Sequence, residues 1–190
     1  MKLLYRGPAL EELHERYAKQ RRIDAEAPVT SASEVRIEAP AERVWRILAD
    51  PAGWSRVLPG RRALELGGGV TEGAPFVWAV GRTVIRSRFA VVDVGRELTW
   101  TGLAMGVRAV DRQVLTPTPD GATVLRIEES MAAPLIGLFF TRDRLRGQHE
   151  EWIRAVKAAA EEGNGSDRTA PRTPARRPAP ASYDGPMITG

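Results

Sequence analysis

Residues 39–54 read APAERVWRILADPAGW, and this stretch decides the fold. Pro40 suits the opening of a helix, where its missing N–H has no partner to lose. Val44, Ile47 and Leu48 then fall on one face at helical spacing, with Trp45 beside them. Asp50-Pro51 stops the helix, because a residue before proline is pushed out of the helical region. Upstream, residues 33–38 read as a strand that runs straight into this helix. Downstream come strands only, and then one long helix.

The strands are marked by their turns. Segments 62–66, 76–80, 83–94, 97–103, 106–117 and 122–131 are separated by glycine-containing turns such as Gly81-Arg82, Gly95-Arg96 and Pro119-Asp120-Gly121. Sequential strands joined by tight turns predict an antiparallel meander. From Pro134 to about Glu162 the pattern is helical, with Leu138, Leu145, Trp152 and Val156 recurring at intervals of seven and four. Gly163-Asn164-Gly165 is the expected helix stop.

Outside this region the chain changes character. Residues 8–24 predict a charged surface helix with a narrow stripe of Leu10, Leu13 and Tyr17, and 25–32 read as a linker. Residues 163–190 are rich in Pro, Ala and Arg and too poor in apolar side chains to pack, so a disordered tail is expected. The expected organisation is therefore 1–32 as helix and linker, 33–162 as the domain, and 163–190 as tail.

Composition narrows the function. The 190 residues carry 28 basic and 24 acidic side chains, a net charge of +4. Part of the surplus is in the tail, at Arg168, Arg172, Arg176 and Arg177, so a nucleic-acid partner is not indicated, and weak contact of the tail with anionic surfaces is all its charge suggests. With no cysteine and only two histidines, far apart in sequence, neither thiolate chemistry nor a metal site is expected. No cofactor motif is present: Gly67-Gly68-Gly69 lacks the Lys-Ser/Thr of a phosphate loop. The opening MKLLYRGPALEEL has no signal-peptide pattern, and no stretch approaches the ~20 apolar residues of a membrane span. A cytoplasmic protein is expected; the oligomeric state is not legible.

Alternation assigns the strand faces. Phe76, Trp78 and Val80 share one face, as do Ile85, Ser87, Phe89 and Val91. Leu98 and Trp100, then Ala109, Asp111, Gln113 and Leu115, then Leu125, Ile127, Glu129 and Met131 complete the inward set. Apolar residues with a few polar ones are the composition of a small-molecule cavity. The same set also suits a packed core. Trp54 and Trp78 are candidates for a pocket mouth.

Four phrases in order resemble the START-like, or SRPBCC, superfamily of polyketide cyclases and lipid-transfer proteins: APAERVWRILADPAGW, GRELTW at 95–100, DGATVLRIEES at 120–130 and AVKAAAEE at 155–162. The resemblance covers roughly 33–162. It implies an α+β helix-grip fold: a seven-stranded antiparallel sheet wrapped round a long C-terminal helix, with two short helices after the first strand. It also implies a hydrophobic ligand held between sheet and helix. The expected lining is Phe76, Trp78, Ile85, Ser87, Phe89, Trp100, Asp111, Gln113, Ile127 and Glu129 from the strands, with Leu138, Arg142 and Leu145 from the helix.

Three functions follow as expectations. The first is a carrier of a lipid or polyketide-like molecule. The second is a cyclase or aromatase, with Asp111, Glu129 or His149 as acid–base groups and Arg142 or Arg144 as the cation that holds an enolate. The third is an interaction module acting through the N-terminal helix and basic tail.

Overall fold

The computed structural model describes residues 4–167. Seven strands form one antiparallel sheet: β1 (Val29–Ile37), β2 (Arg61–Leu66), β3 (Pro75–Val80), β4 (Thr83–Asp93), β5 (Glu97–Ala104), β6 (Val107–Pro117) and β7 (Thr123–Ala132). Their spatial order is β1-β7-β6-β5-β4-β3-β2. β2 to β7 is thus a continuous meander, and β1 closes it by pairing with β7. This places β1 and β2, consecutive in sequence, at opposite edges. The chain crosses between them through α2 (Ala41–Leu48) and α3 (Trp54–Val57).

Pro40 caps α2 with φ −67° and ψ 153°, an extended conformation its ring favours. Asp50 follows the helix and accepts the backbone N–H of Gly53, so the ADPAG phrase builds a tight 3-10 turn over Pro51–Gly53. The final helix is α5 (Arg142–Asp167). It lies against β1, α2 and α3 and buries Trp152, Ile153, Val156 and Ala160 in the main core.

Four expectations need correction. β1 begins at Val29, so 29–32 belong to the sheet. The terminal helical region is two helices: α4 (Ile136–Phe139) ends at Phe140, which is extended at φ −136° and ψ 112°, before α5 starts. Glycine at 163 and 165 does not stop α5, which runs to Asp167; glycine lowers helix propensity by about 1 kcal/mol without forbidding helical geometry. In β4 the register shifts between Phe89 and Val91. This bulge moves Val91 off the inner face and puts Val92 against the core instead. Of the expected tail at 163–190, residues 163–167 continue α5, and the rest lie outside the described residues.

The N-terminal segment is folded onto the sheet. α1 (Leu10–Arg16) and a 3-10 turn, Ala18–Gln20, cover the outer face. Leu13, Tyr17, Ala18 and Ile23 pack on Ala90 and Val110. Asp24 is buried, its backbone N–H donating to Ser130 Oγ at 3.1 Å, while Tyr5 donates to its carboxylate at 2.9 Å. Both faces of the sheet centre are therefore covered, the inner one by α5 and the outer one by this arm.

Candidate functional site

Strand pairing fixes the centre of the inner face. Ser31, Glu129, Asp111, Trp100 and Phe89 are successive cross-strand partners on β1, β7, β6, β5 and β4. They form one row running across the sheet. Directly opposed residues in an antiparallel pair have Cβ atoms about 4.5–5.5 Å apart. The pairing thus places two carboxylates, Asp111 and Glu129, side by side beneath α5.

One half of the row is aromatic. Trp54 lies within 5.5–6.3 Å of the rings of Phe76, Trp78, Trp100 and Trp152, and Phe76 stacks on Phe89 at 4.2 Å. Trp54 and Trp78 are buried in this cluster and do not form a mouth. The Trp54 indole N–H donates to the Leu48 carbonyl at 3.1 Å, and that of Trp78 to Ser87 Oγ at 2.9 Å. Rings of this size fill the space that alternation alone leaves undefined.

The other half is polar. His149, reaching down from α5, has its Nε2 2.9 Å from Glu129 Oε2. Gln113 donates to Asp111 Oδ1 at 3.2 Å and accepts the Trp152 indole N–H at 3.4 Å. Both carboxylates are buried. Burial, reinforced by the neighbouring Glu129, raises the Asp111 carboxyl to about 7, although His149, Arg61 and the Gln113 hydrogen bond pull the other way.

The cation comes from a residue that sequence reasoning passed over. Arg61, the first residue of β2, points inward and is only 7% exposed. Its guanidinium lies 4.4 Å from the Trp152 ring centroid, 4.9 Å from Trp78 and 5.9 Å from Trp54. Burial pushes it below its ordinary value, opposed by Asp111, Glu129 and Glu151. Arg61 Nε and Nη1, His149 Nδ1 and Ser31 Oγ are buried without a hydrogen-bond partner among the described residues. No sequence pattern marks Arg61; the structure extends β2 to include it and sets it opposite Val80, two residues from the Trp78–Ala63 pair.

The remaining expected site residues divide. Ile127 packs in the main core and Ile85 against it. Leu145 belongs to a separate cluster with Val29, Ala133 and Ile136. Leu138 is exposed on α4, because the break at Phe140 removes it from the face of α5. Arg142 is exposed as well and lines a surface depression of about 410 Å³ with Phe140, Gly137 and residues 25–29. Arg144 stacks over the Phe140 ring at 5.2 Å. Neither arginine faces the buried carboxylates. No group of three or more His, Asp or Glu side chains suited to a metal occurs among the described residues, and no described helix is long and apolar enough to cross a membrane.

Solved structures share this architecture. A hypothetical protein of Helicobacter pylori superposes with a TM-score of 0.62 at 12% identity, over 72% of this chain and 90% of that one. Norcoclaurine synthase of Thalictrum flavum, bound to dopamine and hydroxybenzaldehyde, gives 0.55 at 18% identity over 70% and 86%. A putative protein of the dynemicin biosynthetic locus gives 0.58 at 20% identity, over 70% of this chain and 48% of that one. At these identities the likeness is one of fold. No curated protein matches the sequence. The family described as "Polyketide cyclase / dehydrase and lipid transport" matches residues 28–166, which takes in every strand and all of α5 but its last residue. The chain belongs to this polyketide cyclase/dehydrase and lipid-transport family, with a helix-grip fold.

Proposed function

We propose that this protein binds a small hydrophobic molecule carrying polar groups of its own, between the inner face of the sheet and α5. The observation that carries this reading is the set of buried polar atoms without partners: Ser31 Oγ, His149 Nδ1, and Nε and Nη1 of Arg61. A buried donor or acceptor left unpaired costs about 1–3 kcal/mol. Four on one interior are a steep penalty for a fold whose only task is to be stable, and a ligand's oxygens would relieve it. The aromatic rings beside them suit a flat, conjugated body. In this reading Trp78, Trp100, Phe76, Phe89, Ile85 and Ile127 supply apolar contact. Ser87, Asp111, Gln113, Glu129 and His149 orient the ligand.

Native mass spectrometry of the purified full chain tests the proposal, together with titration by a neutral planar fluorophore such as 1-aminoanthracene. Retention of a small molecule, or saturable fluorophore binding that Trp152→Ala weakens, is the expected result. A protein that carries nothing and takes up no fluorophore is not a binder of this kind.

A second reading is supported by Asp111. A carboxyl near 7, beside a histidine and a buried arginine, has the properties of an acid–base group working at neutral pH. It supports a cyclase or dehydratase in which Asp111, Glu129 and His149 move protons and Arg61 holds the developing enolate. Asp111→Asn with Glu129→Gln then abolishes turnover of a test polyketide; unchanged turnover removes both residues from that role.

A further inference from the structure

Arg61 is placed in a way that a purely structural arginine is not. Its guanidinium carbon lies over the rings of Trp152 and Trp78, contacts that engage its charge but satisfy none of its N–H donors. Two of its nitrogens, Nε and Nη1, have no hydrogen-bond partner among the described residues. The nearby carboxylates do not take that role: Asp111 accepts from Gln113 and Glu129 pairs with His149, and neither bonds Nε or Nη1 of Arg61.

The charges point the same way. Four groups face one another across the interior: Arg61 from β2, Asp111 from β6, Glu129 from β7 and His149 from α5. Glu151, also on α5, is exposed and screened by solvent. Burial favours the protonated form of Asp111 at and below neutral pH. With that proton in place, Glu129 and the exposed Glu151 still act on Arg61 through space, but its Nε and Nη1 have no hydrogen-bonded counter-charge among the described residues. Taking a lone charge out of water is costly unless a counter-charge is supplied. The indole rings of Trp54, Trp78 and Trp152 around it are the apolar surface that a ligand held by Arg61 would meet.

We infer that Arg61 is the anion-binding residue of this interior, and that the molecule it receives is a planar aromatic or conjugated carboxylate whose ring lies against the tryptophan cluster. This rests on the ligand-binding reading above and adds the charge class of the ligand. Binding of an anion beside Asp111 further favours its protonated form, so uptake of part of a proton accompanies binding above neutral pH.

The test uses the full-length protein and three probes: neutral 1-aminoanthracene, 2-naphthoate, and its uncharged analogue 2-naphthamide. Displacement of the fluorophore is measured at pH 6, where Asp111 keeps its proton. The expected result is a preference for naphthoate over naphthamide of at least about tenfold, the worth of a hydrogen bond to a charged group. Arg61→Met collapses that ratio toward one, and Arg61→Lys restores part of it. Calorimetric titration of the unaltered protein with naphthoate at pH 7.5, in phosphate and in Tris, shows proton uptake that Asp111→Asn removes. Because the ratio and the proton uptake in the unaltered protein need no variant to fold, they stand even if Arg61→Met does not. If 1-aminoanthracene binds but naphthoate and naphthamide displace it equally, the inference is overturned and the ligand-binding reading survives. If a naphthoate preference persists in folded Arg61→Met, the anion site lies elsewhere and the inference is again overturned. If the fluorophore does not bind at all, both fail.

Discussion

Replacing Asp111 by asparagine stabilises this protein strongly at pH 8 and only slightly at pH 4.5. The two side chains have nearly the same shape, and Asn Oδ1 can still accept from Gln113 Nε2, as Asp111 does now at 3.2 Å. What changes is charge. In the folded protein the Asp111 carboxyl is raised from 3.8 to about 7, first by burial and then by Glu129. That figure is already net of the attraction from His149 and Arg61. Between pH 4 and 7 the folded chain therefore holds a proton that the unfolded chain has released. Stability falls as pH rises wherever the folded state binds more protons. The contribution of Asp111 is thus fully present below about pH 4 and is lost as pH climbs through 7. Raising a carboxyl from 3.8 to about 7 corresponds to on the order of 4 kcal/mol, and rearrangement around the ionised group will lower the observed value.

The assay is urea unfolding at half-unit steps from pH 4.5 to 8.5, for both proteins, followed by tryptophan fluorescence. The difference between the two curves isolates position 111, since exposed carboxylates titrate alike in both. The expected difference is at most about 1 kcal/mol at pH 4.5 and grows to roughly 2–4 kcal/mol in favour of the asparagine variant at pH 8. Parallel curves, or an asparagine variant that is the less stable at pH 8, would refute the claim that Asp111 is ionised at a cost inside the fold.

Three other outcomes are expected. Trp54→Ala, which empties the centre of the ring cluster and orphans the Leu48 carbonyl, costs about 3–5 kcal/mol by chemical denaturation. His14 is buried 3.0 Å from Thr101 Oγ1 and its pKa is lowered, mainly by burial and then by Arg88 and Lys19; the folded state therefore excludes a proton that the unfolded state takes up, stability is lost as pH falls below 6.5, and His14→Gln flattens the melting temperature between pH 6.5 and 5. Arg112 donates to Glu97 through Nε and Nη2, each at 3.0 Å, and to Glu128 at 2.7 Å; Arg112→Met alone costs about 3 kcal/mol because it deprives a buried carboxylate of its main donor, and adding Glu97→Gln recovers a measurable part of that loss in a double-mutant cycle.

The fold was legible because its turns are chemically explicit. Gly81, Gly95, Gly106 and Gly121 all adopt positive φ, where other residues are strained, so the meander is written in its turns. The faces of β3, β5, β6 and β7 follow from alternation, and with them the juxtaposition of Asp111 and Glu129. A bulge leaves no compositional mark, so Val91 was assigned to the wrong face of β4. The seven-residue interval from Leu138 to Leu145 imitates a continuous helix across the break at Phe140. Arg61 escaped notice because an arginine after Pro59-Gly60 reads as an ordinary exposed strand start; only tertiary packing turns it toward Trp152. The contact between His149 and Glu129 joins residues 20 apart in sequence across the gap between helix and sheet, a distance that no local pattern reports.

The outer face explains how the inner face tolerates such a site. Asp111 and Gln113 on β6 flank Arg112, whose side chain points to the opposite side. There it ties β6 to Glu97 of β5 and Glu128 of β7, while Arg21 from the N-terminal arm adds a contact to Glu97 at 3.2 Å. The strands that hold the unfavourable inner residues are thus fastened from behind by a network of charged pairs. The arm adds to this the burial of Leu13, Ala18, Ala90 and Val110. Pairs that are partly buried and held in a network contribute more than isolated surface pairs. A sheet secured on one face can carry unpaired donors and crowded carboxylates on the other without losing register. That division of labour is what a binding protein needs, because groups already satisfied within the fold would have nothing left to offer a ligand.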